Sequence, residues 1–388
     1  MTHQENNSLK RGHYRLTART ESAMFMHSPR GAEYSEIRSS ALRGMMRYWL
    51  RAALARSASL EELRTFERFV FGDELTGTRL SIRTDVAQRY EEICTKRSPV
   101  PHKLVPLSGA TDVVASDSDP TTALTSEASS PQPTEATTAD AGSAQKSDPR
   151  KNRPQRPEPF PLVSSINPGV DLHVTLSATG AASDDALEAA LAALWLAANL
   201  GGFGTRKRRG AGSLSIVAIE PSHAFSVPES EGVFPSAAEL STFLSMGLRY
   251  ARSTLSRIFA IHGKSGGTPD LTIPYLAGAF QVSVAAVDGG DEEEIRRSLM
   301  LSLREFKNPA FGLPLKLNGQ FVVPENTPKG RRVRFASPLW IRTVKTASGY
   351  AVVTTLLDPL PHAPGLDAGK ITGFLEKLGA AVLPEVSA

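Results

Sequence analysis

Apolar and polar positions alternate along residues 13–20, where Tyr14, Leu16 and Ala18 share one face, and again along 170–178. A period of two predicts half-buried strands. Over 40–56, SALRGMMRYWLRAALAR, the period becomes helical: Leu42, Met45, Met46, Trp49, Leu50 and Ala53 form one apolar stripe. A shorter helix is predicted over 60–71 and a strand over 78–86. Beyond 170–178, the Ala/Leu-rich run 183–200 reads as a helix. Ser183 is its candidate N-cap, Asp184 and Asp185 lie in its first turn, and Gly201 lies just past its end. A strand over 213–219 follows. Further on, helices are predicted over 237–259, 292–305 and 367–378, and strands over 279–287, 332–344 and 350–356.

One stretch has no period. Residues 105–161 are rich in Ser, Thr, Ala, Pro and Asp and nearly devoid of large apolar side chains. Such a segment cannot bury enough surface to offset its ordering entropy, so a disordered insertion is predicted there. Removing it leaves β-α-β followed by β-α-β, the ferredoxin-like order also found in RNA-recognition sheets. The expected class is α+β. A ferredoxin-like unit is expected over 1–220, with the insertion inside it, and a second, degenerate one over 221–388.

Composition narrows the class. The chain has 388 residues, 40% hydrophobic and 22% charged, which is ordinary for a globular protein of two domains. No window nears the roughly 18 apolar residues of a membrane span, and the N-terminus has no signal-peptide core. A single cysteine, Cys94, excludes an internal disulfide and a Cys-based zinc site, and the eight histidines show no paired metal spacing. A cytoplasmic protein with no metal or cofactor is expected.

Charge changes the picture. Residues 1–56 carry ten Lys/Arg against four Glu, and the run 111–140 carries six acidic residues and no basic one. The basic tail of the insertion, 146–156, is a further candidate for nucleic-acid contact. The densest cation cluster is GGFGTRKRRGAG over 201–212, where Gly201, Gly202, Gly204, Gly210 and Gly212 enclose Arg206, Lys207, Arg208 and Arg209, with Thr205 beside them. Glycines let a backbone approach a ligand closely, and clustered cations suit a row of phosphates. The loop is expected to be exposed and to act as a polyanion clamp; the plainer reading is a solvated helix-to-strand connection. On the helix over 40–56, Arg43, Arg47 and Arg51 recur every four residues, either as a basic stripe facing a polyanion or as an ordinary solvated face. Gly44 interrupts that helix and suggests close approach of something to its backbone. The loop ahead of it holds His27, Arg30, Glu33, Tyr34, Glu36 and Arg38 but no Asp. No RNP-type aromatic pair is present, since 170–178 lacks Phe, Tyr and Trp.

The segments EIRSSALRGMMRYWLRA (36–52), FERFVFGDE (66–74), GGFGTRKRRGAGSL (201–214), FGLPLK (311–316) and RRVRFASPLWIR (331–342) together resemble the RAMP superfamily of CRISPR effector proteins. Within it they are similar to the branch that supplies the first subunit of type III-B effector complexes. The resemblance implies a non-catalytic RNA-binding subunit of an antiviral ribonucleoprotein. Its partners would be CRISPR RNA, near the 3′ end, target RNA and other RAMP subunits. Carried over by position, Arg38, Ser40, Arg43, Gly44, Arg47 and the loop residues Gly201, Gly202, Gly204, Thr205, Arg206, Lys207, Arg208, Arg209 and Gly210 are the expected RNA-binding set. Two other readings stay open: a metal-independent endoribonuclease built on His27 and Tyr34, and an unrelated protein that binds a small phosphorylated ligand.

Overall fold

The period-two segment that opens the chain becomes an inner strand of a four-stranded sheet. A computed structural model describes residues 12–28, 31–73, 80–99, 162–180, 182–225, 233–276, 281–288, 290–312, 315–317, 320–322, 335–360 and 365–383. In chain order the elements begin with β1 (His13–Thr20), the short pair β2 (His27–Ser28) and β3 (Gly31–Ser35), then helices α1 (Ser39–Leu54) and α2 (Leu60–Phe71). β4 (Leu80–Val86), the one-turn α3 (Tyr90–Ile93), β5 (Cys94–Arg97), β6 (Val163–Ile166), β7 (Asp171–Ala178), α4 (Ser183–Asn199) and β8 (Leu214–Glu220) complete the first half. The second half contains α5 (Ala237–His262), β9 (Val282–Val287), α6 (Glu292–Glu305), a 3₁₀ turn at Pro309–Phe311, and the pair β10 (Leu315–Leu317) and β11 (Gln320–Val322). It ends with β12 (Leu339–Thr346), β13 (Gly349–Leu356), α7 (Gly369–Lys377) and β14 (Ala381–Val382).

The first sheet has the order β4-β7-β1-β8 with every neighbouring pair antiparallel. The second has the order β12-β13-β9-β14, again antiparallel throughout. In each sheet the last strand of the half pairs with the first, and the two strands between them lie on the far side. The protein is therefore a mixed helix and sheet fold in which one strand order occurs twice.

The helices follow from their sequences. On α1 the predicted stripe is buried: Leu42, Met46, Trp49 and Leu50 are each at most 2% exposed. α2 starts with a capping box, in which the Ser59 hydroxyl accepts from the Glu62 amide and the Glu62 carboxylate accepts from the Ser59 amide. α4 is buried almost all round from Ala186 to Asn199, because α1, α2, α5 and the first sheet enclose it. Ser183 is its first helical residue rather than its cap, since Ala182 precedes it in the left-handed region, φ 56°, with no side-chain cap. Trp195 of α4 lies against Gly247 of α5, where any Cβ would collide with the indole. Burying such a ring removes about 200 Å² from water, on the order of 5 kcal/mol.

The large core unites the first sheet, its helices, α5 and one face of the second sheet. The other face of that sheet packs on α6 and α7. Along β12 the alternation is visible: Trp340 and Val344 belong to the large core, whereas Leu339 and Ile341 belong to the smaller one. Arg342 shares the face of Trp340 and is 1% exposed. Its guanidinium donates to the carbonyl of Asn199 at 2.6 Å and that of Leu214 at 3.2 Å, and to the Ser215 hydroxyl at 3.1 Å. Burial lowers its pKa to about 10, against the opposing pull of buried Glu21. The Glu21 carboxylate accepts from the Lys345 amide at 2.9 Å. The two sheets are thus fastened by a buried, hydrogen-bonded seam.

The predicted strand over 332–344 begins only at Leu339, and residues 331–334 lie outside those described. The insertion predicted over 105–161 also lies outside them. Its flanks are described: β5 and β6 pair antiparallel with Arg97 opposite Val163, so the chain leaves and returns at neighbouring points.

Candidate nucleic-acid interface

The glycine-rich loop, residues 201–212, is fastened along its length. The Phe203 amide donates to the Gly212 carbonyl at 2.9 Å, the Thr205 amide to Phe25 at 2.8 Å, the Gly212 amide to Ala23 at 3.0 Å and the Gly210 amide to Ile341 of β12 at 3.0 Å. Gly204 has φ 79°, and a Cβ there would sit 2.5 Å from the Phe25 carbonyl oxygen. Gly212 has φ 68° and abuts the Phe203 carbonyl. These glycines are needed for close approach of the chain to itself. Gly201, Gly202 and Gly210 are buried, and a Cβ on Gly201 would collide with the Trp49 indole.

The expectation of an exposed loop therefore does not hold. The four consecutive cations are half-buried and do different things. Arg208 donates to the Ser337 carbonyl at 2.9 Å and to the Tyr48 hydroxyl at 3.3 Å, with its guanidinium carbon 4.5 Å from the centre of the Trp340 ring. Arg209 donates to the Phe311 carbonyl at 3.0 Å, and burial lowers its pKa to about 10. Arg206 takes positive φ, 61°. Lys207 reaches a cleft, where burial and neighbouring Arg208 lower its pKa. A partly dehydrated ammonium beside a guanidinium favours an incoming anion.

That cleft, about 490 Å³, lies between α1 and the loop. Of the expected residues it gathers Arg38, Gly44, Gly204, Thr205, Lys207 and Arg208. Its wall adds Phe25, His27, Tyr48, Arg51 and Trp340. Tyr48 and Trp340 have ring centres 5.4 Å apart. Burial and Arg38 lower the pKa of His27, so its neutral form dominates at neutral pH. His27 Nδ1 and Arg38 Nε are both shielded from solvent without a hydrogen-bond partner among the described residues. The arrangement offers cations and the partly exposed Tyr48 ring to one ligand.

Arg43 and Arg47 point elsewhere. They line a second cleft, about 530 Å³, with Arg64, Glu67, Arg68, Phe71, Gly72 and Asp73. Arg43 donates to the carbonyls of Phe71 at 3.3 Å and Leu80 at 2.9 Å, and Arg47 to that of Gly72 at 2.9 Å, so both close off the C-terminal end of α2. Arg51 pairs with Glu67 at 3.1 Å. The stripe of three arginines is thus divided between two sides of α1. Ser40 is exposed near the start of α1, and with Gly201, Gly202, Arg206, Arg209 and Gly210 it lines neither cleft. Tyr34, 58% exposed, also stands outside the first cleft.

The sequence pattern does not single out Tyr48 or Trp340. Tyr48 lies beside the predicted apolar stripe, and Trp340 is nearly 300 residues away from it along the chain. Among the described residues no group of three His, Cys, Asp or Glu is placed to hold a metal ion, and no helix is long and apolar enough to cross a membrane.

The profile of the RAMP superfamily matches residues 17–215, half of the chain and the stretch from β1 to β8. The chain belongs to the RAMP superfamily. Its fold is similar to the crystal structure of Cmr1 from Pyrococcus furiosus in the apo form, with a TM-score of 0.55 and 17% identity over 96% of this chain and 98% of that one. It is also similar to a chain of the type III-B Cmr-beta bound to cognate target RNA and AMPPnP in the presence of single-stranded DNA, with a TM-score of 0.52 and 12% identity over 94% and 98%. A chain of Cmr-beta bound to cognate target RNA gives 0.50 and 12% over 95% and 98%. At these identities the likeness establishes the fold. No curated protein matches the sequence. As a RAMP protein the chain places its glycine-rich loop against β12, so the first cleft draws on residues from both halves.

Proposed function

We propose that this RAMP protein is a non-catalytic, RNA-binding subunit of a type III CRISPR effector ribonucleoprotein that works in the cytoplasm. Its ligands are CRISPR RNA, near the 3′ end, and paired target RNA, held mainly through phosphates, and its protein partners are other RAMP subunits. The first cleft carries this reading, because it collects Arg38, Lys207 and Arg208 beside the partly exposed Tyr48 ring in a space of about 490 Å³. The twice-repeated strand order supports two ferredoxin-like domains, 1–220 and 221–388. The structures of similar fold come from a Cmr1 and from Cmr-beta bound to target RNA, in agreement with that assignment.

The endoribonuclease reading has one observation in its favour, a largely neutral His27 in the cleft. Tyr34 stands outside, and metal-free cleavage needs an acid and a base on one phosphodiester. Incubating the purified protein with end-labelled repeat RNA in EDTA separates the two. Salt-sensitive binding with intact RNA is expected. Cleavage that His27→Ala abolishes would replace this reading with the enzymatic one.

A further inference from the structure

We propose that the arginine-lined cleft between α1 and α2 is a second phosphate subsite for the same RNA strand, which reaches it by crossing α1 over the bare backbone at Gly44. The proposal rests on the reading that the first cleft takes RNA.

α1 is the wall shared by both clefts. Ala41, Gly44, Met45, Tyr48 and Arg51 face the first, and Arg43 and Arg47 face the second. One helix width, about 10 Å, separates them. Gly44 is exposed where it lines the first cleft, and a Cβ built there meets nothing within 4 Å. Its φ is not positive, and no neighbour crowds it, unlike Gly247 of α5, where Trp195 excludes a side chain. Nothing within the described chain requires glycine at position 44, although glycine weakens a helix. A strand lying across the helix does require it, because any side chain would stand in its path.

The second cleft suits phosphate. Four guanidinium groups, Arg43, Arg47, Arg64 and Arg68, face two carboxylates. Of these Glu67 is engaged by Arg51, and Asp73 lies 3.8 Å from Arg68. Arg43 and Arg47 are held by main-chain carbonyls, which orient the groups without cancelling their charge. Arg47 Nε is buried without a hydrogen-bond partner among the described residues, and its guanidinium carbon lies 5.5 Å from the centre of the Phe71 ring. Phe71, the one aromatic side chain among the described residues lining this cleft, is already covered by Arg47, so they offer charge and no stacking surface for a base.

The test uses Gly44→Gln and the double variant Arg64→Ala/Arg68→Ala, with uridine oligomers of 4 and 30 nucleotides measured by fluorescence anisotropy. Gly44→Gln should melt at or above the wild-type temperature, since glutamine is the better helix former. It should nevertheless bind the 30-mer roughly tenfold more weakly, and Arg64→Ala/Arg68→Ala, whose residues lie outside the first cleft, should weaken the 30-mer while leaving the 4-mer, which fills one cleft, unaffected. The arginine variant should lower the salt slope for the 30-mer by about 0.7 for each phosphate no longer neutralised. Wild-type 30-mer binding in both variants overturns the crossing. So does an equal loss for the two probes in the arginine variant, which would report a disturbed first cleft. If RNA binding is normal but the arginine variant fails to join its partner subunits, the second cleft is a protein interface and the proposal falls. In these cases weakened binding by Lys207→Gln still upholds the first cleft. If wild type binds neither oligomer, both readings fail together.

Discussion

Truncating Arg208 separates two kinds of cation within one loop. In Arg208→Ala the Ser337 carbonyl and the Tyr48 hydroxyl lose a charged donor at 2.9 and 3.3 Å, and the Trp340 ring loses a guanidinium 4.5 Å from its centre. A hydrogen bond from a charged group contributes about 1.5–3 kcal/mol, and a half-exposed cation–π contact about 1 kcal/mol. The second hydrogen bond is long and the site half-buried, so the net loss is about 3 kcal/mol. For a chain of this size that lowers the melting temperature by roughly 6 °C. Lys207→Gln removes an ammonium that lines the cleft, and should change stability by less than about 0.5 kcal/mol, on the order of 1 °C. Circular-dichroism melts beside anisotropy titrations with labelled single-stranded RNA read both quantities. Arg208→Ala should lose stability and affinity together, and Lys207→Gln affinity alone. Arg208→Lys should restore little, because an ammonium cannot span both acceptors in the planar geometry of the fork. If Arg208→Ala melts within about 2 °C of wild type, or Lys207→Gln is as destabilised as Arg208→Ala, the division of labour is refuted.

Two further outcomes are expected. The Glu62 carboxylate accepts from the amides of Ser59, Ser265, Gly266 and Gly267, and these bonds, those of Ser59 and Ser265 foremost, lower its pKa from 4.5 to about 2. The folded pKa is depressed, so its contribution is present above pH 4.5 and fades as pH falls toward 2. Melts of Glu62→Gln should therefore lie below wild type at about pH 5 and converge with it near pH 2, whereas a pH-independent gap would contradict the ionic account. Replacing residues 100–161 with Asn-Gly should leave the melting temperature within a few degrees, because Arg97 and Val163 are already opposite one another in β5 and β6; failure to fold would show that the segment supports the core.

Legibility in the sequence followed the range of the interactions. α1 and α2 declare themselves because one face of each is buried and the other wet, which writes a 3.6-residue period into the chain. The helices Leu60–Phe71 and Glu292–Glu305 match their predicted spans to the end residues. The start of β12 is illegible because its sheet is covered on both faces: Leu339, Trp340, Ile341 and Val344 are all buried, and no alternation marks where the strand begins. The short pairs β2–β3, β5–β6 and β10–β11 are too brief to show a period. In the site, the cations of residues 206–209 are legible as a cluster, but their roles are not. Arg208 and Arg209 are fixed by Ser337 and Phe311, more than 100 residues distant, and nothing local distinguishes them from Lys207. Arg43 and Arg47 do share one helix face. Only the position of the α2 terminus shows that this face turns away from the glycine-rich loop.

The most direct test of RNA binding in the first cleft is a salt titration of single-stranded RNA affinity for Arg38→Gln/Lys207→Gln, accompanied by a melt. Among the described residues neither side chain contributes a hydrogen bond that fastens the loop, so the variant should melt like wild type. Its affinity should fall by roughly tenfold or more, and the log–log salt slope should shrink by about 0.7 for each phosphate that the variant leaves unneutralised. Wild-type affinity and slope in a normally folded double variant would show that RNA does not enter this cleft.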